Sequence, residues 1–149
     1  MQENNPFSNI VSQIQSRDDQ NLLLDELSAL KNSLFQIKQN TFDQVLTTKV
    51  RQKISAELEK ILTASSDRAG LLDQLTKQVQ DLKTLDLTLS FEPTVETRQK
   101  IFTWVKTNMG EGVVINLKFD PTIIGGAQIA FNGKYVDLSL KKIIDTIKR

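Results

Sequence analysis

The sequence predicts an α+β fold: amphipathic helices over residues 1–84, forming a hairpin, a short bundle or a coiled-coil arm, followed by a small two-layer βαβββα domain with a mixed sheet over residues 85–149. Three observations predict it. Glycine and proline are sparse before residue 85 and frequent after it. Apolar residues recur every three or four positions in the first part. In the second they alternate, with Leu85, Leu87, Leu89 and Phe91 on one side of Asp86, Thr88 and Ser90 on the other.

The helical part is read from its stripes. Phe7, Ile10, Val11 and Ile14 form one apolar face after Pro6, whose fixed φ suits a helix start. From about Asn21, Leu23, Leu27, Leu30, Leu34 and Ile37 repeat with 4-3-4-3 spacing, a seam of about two heptads that offers a possible partner-binding helix face. Thr41, Gln44, Thr48 and Arg51 would continue the seam and are polar, so the pattern breaks near Gln39–Thr41. It resumes shifted, with Phe42, Leu46, Val50, Ile54, Leu58 and Ile61 spaced mostly by four. Two helices separated by a turn fit this better than one rewound helix. The run TASSD at Thr63–Asp67 supplies capping residues, and Leu71, Leu72, Leu75, Val79 and Leu82 restart a stripe, for three or four helices in all.

In the second part, Pro93 and Thr94 open a helix on which Val95, Phe102, Val105 and Met109 share a face, with Ile101 and Trp104 beside it and Gly110 and Gly112 at its end. Val113, Ile115, Leu117 and Phe119 then alternate with Val114, Asn116 and Lys118 in a second strand. A strand-helix-strand unit of this length pairs its strands in parallel. A third strand around Ala127–Phe131 and a fourth around Lys134–Leu138 flank Asn132-Gly133, a strong hairpin signal. Leu140, Ile143, Ile144 and Ile147 form the apolar face of a last helix, placing two helices on one side of the sheet.

The composition narrows the chemistry. The 149 residues include no Cys and no His, which removes disulfides, thiol nucleophiles and imidazole acid-base work. Nineteen Lys and Arg against eighteen Asp and Glu give a net charge of +1 without a basic block, so no nucleic-acid face is expected. The apolar runs fall far short of the ~20 residues that cross a bilayer, and the N-terminus lacks a signal-peptide layout.

The glycine pair in DPTIIGGAQIAF could hold a phosphate or turn the chain. A phosphate loop needs GxxxxGK[ST], or GxGxxG opening a helix, and here the pair leads into a strand. Gly125 and Gly126 are therefore expected to permit a sharp bend. Asp137 and Ser139 stand where the fourth strand meets the last helix and are expected to cap it. Glu57 and Glu59 lie on different helical faces, Asp18-Asp19 sits at a helix junction, Glu92 and Glu96 flank a helix start, and Lys141-Lys142 reads as a solvated face. No catalytic, cofactor-binding or metal site is expected.

The string VVINLKFDPTIIGGAQIAFNGKYVDLSLKKIIDTI resembles the C-terminal domain of the F-type ATP synthase delta subunit, the oligomycin-sensitivity-conferring protein of mitochondria. The motif is an acidic residue and Pro, an aliphatic pair, Gly-Gly, a strand, a turn with Gly, and Asp-x-Ser before the last helix. Here these are Asp120, Pro121, Ile123, Ile124, Gly125, Gly126, Gly133, Asp137 and Ser139. The resemblance implies a non-catalytic, cofactor-free subunit of the peripheral stalk that links b-type stalk helices to the catalytic head and meets the alpha subunits. It implies a cytoplasmic protein attached to the inner (plasma) membrane only through that complex. Members of the family carry an N-terminal bundle of six helices; the shorter helical part here implies a reduced bundle or a coiled-coil arm. The alternative is a homo-oligomeric coiled-coil adaptor serving an unrelated assembly.

Overall fold

The computed structural model of the chain describes residues 5–36, 38 and 41–137. The chain divides into two compact units: a helical one up to Ile14 and over Asp18–Leu82, and a sheet one made of Gln15–Arg17 and the residues from Lys83 onward.

The helical unit contains a short turn of helix α1 (Ser8–Val11), then α2 (Arg17–Leu34), α3 (Thr41–Thr48), α4 (Gln52–Thr63) and α5 (Arg68–Gln80). Among the described residues five helices rather than three or four arise, because the stripe from Phe42 to Leu58 is cut at Lys49–Arg51. The physical reason lies in its spacing. Apolar residues four apart drift by about 40° per step around a 3.6-residue helix, so one straight helix could not bury them all on one side. The break resets the phase, and Phe42, Leu46, Val50, Ile54 and Leu58 are all buried. The stripe ends on buried Leu62 instead of Ile61, which is half-buried.

Side-chain bonds tie these helices together. On α2, Gln20 Nε2 donates to the Val79 carbonyl of α5 at 2.6 Å, and Lys31 pairs with Asp73 of α5. Arg68, at the start of α5, lies over the Phe42 ring of α3, 5.0 Å from its centroid. The expected break at Thr63–Asp67 is present: Asp67 caps α5 by accepting the Gly70 amide at 2.9 Å.

The sheet unit holds β1 (Lys83–Leu89), α6 (Val95–Met109), β2 (Val113–Phe119), β3 (Ala127–Phe131) and β4 (Lys134–Asp137), in the sheet order β2-β1-β3-β4. β1 pairs in parallel with β2, Leu85 opposite Ile115, and antiparallel with β3, Leu87 opposite Ile129. Leu85, Leu87 and Leu89 are buried with Ile115 and with Val105 of α6, and Ile101, Phe102, Met109, Leu117, Ala127, Ile129 and Phe131 pack around them. Alternation puts one face of β1 in the core, as the period of two requires.

Several expectations change at the ends of elements. Phe91 lies beyond β1 and is exposed, and Val95, in the first turn of α6, is 84% exposed. Val114 is as buried as its neighbour Ile115, so β2 is covered on both faces at that point. The boundary also differs from a simple division at residue 84, because Gln15–Arg17 joins the sheet unit: Ser16 forms a parallel bridge with Ile115 beside β2. The last expected helix, with Leu140, Ile143, Ile144 and Ile147, lies outside the described residues.

Candidate functional site

The motif residues converge on the connection from β2 to β3 and on the β3–β4 hairpin. As the chain leaves β2, the Asp120 amide donates to the Leu89 carbonyl at 2.9 Å, holding the loop to the end of β1. Asp120 Oδ1 then accepts both the Thr122 amide at 2.9 Å and the Thr122 hydroxyl at 2.6 Å. This is the side-chain turn that Asp favours, and Pro121 suits its central position. Ile123 is buried at 6% exposure, whereas Ile124 is 54% exposed.

Gly125 and Gly126 follow with φ of 64° and 77°. Both lie in the left-handed region, where a Cβ meets the carbonyl, so glycine is the residue that fits. The Ser90 amide donates to the Gly126 carbonyl at 3.4 Å, so the pair is fixed beside β1. The chain reverses here and β3 runs antiparallel along the free edge of β1. Asn132 and Gly133, with φ of 51° and 74°, make the tight hairpin with the twist that its strands need.

Asp137 ends β4 opposite Gln128, whose Nε2 lies 3.4 Å from Asp137 Oδ2. The helix that it is expected to cap, together with Ser139 and Lys141-Lys142, lies outside the described residues. Among the described motif residues, Asp120 and Asp137 are engaged in local hydrogen bonds and the glycines take left-handed backbone.

The proposed partner face on α2 requires a correction. Leu23, Leu27 and Leu30 are 0–1% exposed and Leu34 is half-buried, so the heptad seam is used inside the fold instead of being presented to a partner helix. Ile37 lies outside the described residues. Two heptads of Leu do not distinguish a seam between chains from one between helices of the same chain.

The exposed apolar groups lie elsewhere. On α6, Trp104 is 59% exposed, on an open helix face that it shares with Glu96, Gln99, Lys100, Thr103, Thr107 and Asn108. Tyr135 and Val136 on β4 and Phe119 at the end of β2 are also about half exposed or more. Such surface offers contact area to a partner. Trp104, expected beside the apolar face of α6, turns to solvent.

Glu57, whose side chain is 23% exposed, is held below the usual carboxylate value by hydrogen bonds from Lys60 and from Asn9. Among the described residues no group of three Asp or Glu side chains is placed to hold a metal ion. No helix among them is long and apolar enough to cross a membrane.

The family model described as ATP synthase delta (OSCP) subunit matches residues 7–149. The chain belongs to that family. The match takes in the helical unit as well as the motif-bearing sheet unit, so the helices before Lys83 are part of the family pattern and the reading of an unrelated adaptor falls. Among relatives, an ATP synthase subunit delta of Bradyrhizobium sp. is 25% identical over 143 residues, covering 88% of this chain and 77% of that one. Another, from Bradyrhizobium diazoefficiens, is 29% identical over 101 residues, 64% of this chain and 54% of the relative. A chain of the Toxoplasma gondii mitochondrial ATP synthase hexamer, solved by cryo-EM, is 12% identical with a TM-score of 0.38, covering 86% of this chain and 84% of that one.

Proposed function

We propose that this delta-family chain ties b-type stalk helices to the catalytic head of an F-type ATP synthase, so that the head resists rotation while the rotor turns. Family membership makes it a stator component of the ATP synthase, a structural part of the enzyme complex. The match across residues 7–149 is the observation that carries this role. The finer assignments are the b-type helices and the alpha subunits as partners, and a cytoplasmic position at the inner membrane. They are supported by the family and by a surface suited to adhesion: α6 presents the exposed Trp104 on an open face with Glu96, Gln99, Lys100, Thr103, Thr107 and Asn108. Tryptophan of this kind commonly anchors protein interfaces.

A stator has to be stiff and adhesive. The sheet unit meets the first need with a central strand hydrogen-bonded on both edges, and the second with exposed apolar side chains on α6 and β4. The test is depletion and add-back. Membranes stripped of the chain should lose proton-driven ATP synthesis while the released head keeps hydrolysing ATP, and the purified chain should restore synthesis. Full synthesis in its absence would overturn the assignment.

A further inference from the structure

Between Thr41 and Thr63 the sequence contains no Gly and no Pro, and Lys49, Arg51, Gln52 and Lys53 at the junction are good helix formers. Local sequence alone would run α3 into α4. In an unbroken helix the Arg51 amide would donate to the carbonyl four residues back, that of Thr47. In the structure Glu26 of α2 takes that amide instead, at 3.1 Å from its Oε1.

The same carboxylate accepts from Arg51 Nε at 3.1 Å and from Nη2 at 3.3 Å. Nη1 pairs with Asp19 Oδ1 at 3.5 Å, and Nη2 reaches the Asp19 carbonyl at 3.4 Å. Arg51 holds extended ψ of 137° as the residue before α4, with no side-chain cap of its own. The Glu26 side chain is 4% exposed and that of Arg51 34%, so solvent reaches the latch through Arg51.

We propose that Glu26 is a conformational latch: its carboxylate holds 41–63 as two helices, and releasing it lets α3 and α4 join into one. The joined form would carry Phe42 and Leu46 to a different side from Ile54 and Leu58, because the four-residue spacing drifts around a straight helix. The latch thus decides whether that apolar stripe faces one direction or is spread around a rod. It stands independently of the stator role.

The absence of native cysteine makes a distance measurement direct. Spin labels at Gln44→Cys and Lys60→Cys, both exposed positions, report the separation of the two helices in the full chain. Glu26→Leu, which removes the acceptor, should move the distribution toward the backbone separation of about 24 Å expected for sixteen residues of continuous helix. Adding Arg51→Pro, which forbids the continuous helix and fits the observed φ of −56°, should return it to the wild-type distribution. A Glu26→Leu distribution identical to wild type overturns the latch. If Glu26→Leu alone loses its fold, recovery of the wild-type distances by Arg51→Pro supports the latch and failure to recover them overturns it.

Discussion

The amide of Ile115, in β2, donates to the carbonyl of Gln15 at 2.9 Å, so a segment that precedes the longest helix closes the outer edge of the sheet. Strand edges left open invite pairing with other chains, and here three residues of the same chain occupy that position. A chain lacking residues 1–17 should exchange the Ile115 amide rapidly while the Leu87 amide, in the central strand, stays protected. The loss to the sheet unit should be about 0.5–1.5 kcal/mol, the usual net contribution of one such bond. Residue-resolved hydrogen exchange measures both; an Ile115 amide still protected would show that another group covers the edge.

At the β2–β3 connection, Gly125→Val should lower the urea midpoint of the sheet unit. The φ of 64° costs an L-residue roughly 1–2 kcal/mol, and a β-branched side chain stands at the upper end. Gly125→Asn should be milder, since Asn tolerates the left-handed region. Equal midpoints for Gly, Asn and Val would remove backbone strain as the reason for the pair.

Leu27 and Leu22 separate an internal seam from an external one. Leu27 is 1% exposed, and Leu27→Ala should cost about 2–5 kcal/mol through lost burial and the cavity left behind. Leu22 is 46% exposed, and Leu22→Ala should change stability by no more than about 0.5 kcal/mol. Chemical denaturation of the two variants distinguishes them; a silent Leu27→Ala would return the seam to a partner.

Glu57 should titrate below its ordinary value of 4.5, because Lys60 and Asn9 donate to its ionised form. A depressed folded pKa means that its contribution to stability is complete above the unfolded value and is lost as pH falls through the lower folded value. Asn9→Ala and Lys60→Ala should each raise the midpoint toward 4.5, followed by carbon NMR of the carboxyl group. An unchanged midpoint in both would show that these bonds do not persist in solution.

Much of the sheet unit was readable because its signals are local. Alternation located β1 and β2, Asn132-Gly133 located the hairpin, and Gly125-Gly126 located the bend, each within a few residues. The helical unit was less readable where tertiary contacts decide. No Gly or Pro lies near Lys49–Arg51, and the Arg51 amide freed at the break is taken by Glu26, 25 residues away. Likewise the Leu23–Leu30 spacing is the same whether its partner is another chain or this one. The bridge from Ser16 to Ile115 has no sequence signature, since a single β-bridge leaves no periodicity. Trp104 was placed on the right helix, but whether it turned inward depended on packing around Val105 and Ile101.

The most direct test of the central claim is an affinity purification of the tagged chain from its own cells in mild detergent, with the retained proteins identified by mass spectrometry. The stator assignment predicts recovery of the b-type subunit together with the alpha and beta subunits of the catalytic head. Recovery of the chain alone, or with proteins unrelated to the ATP synthase, would contradict it.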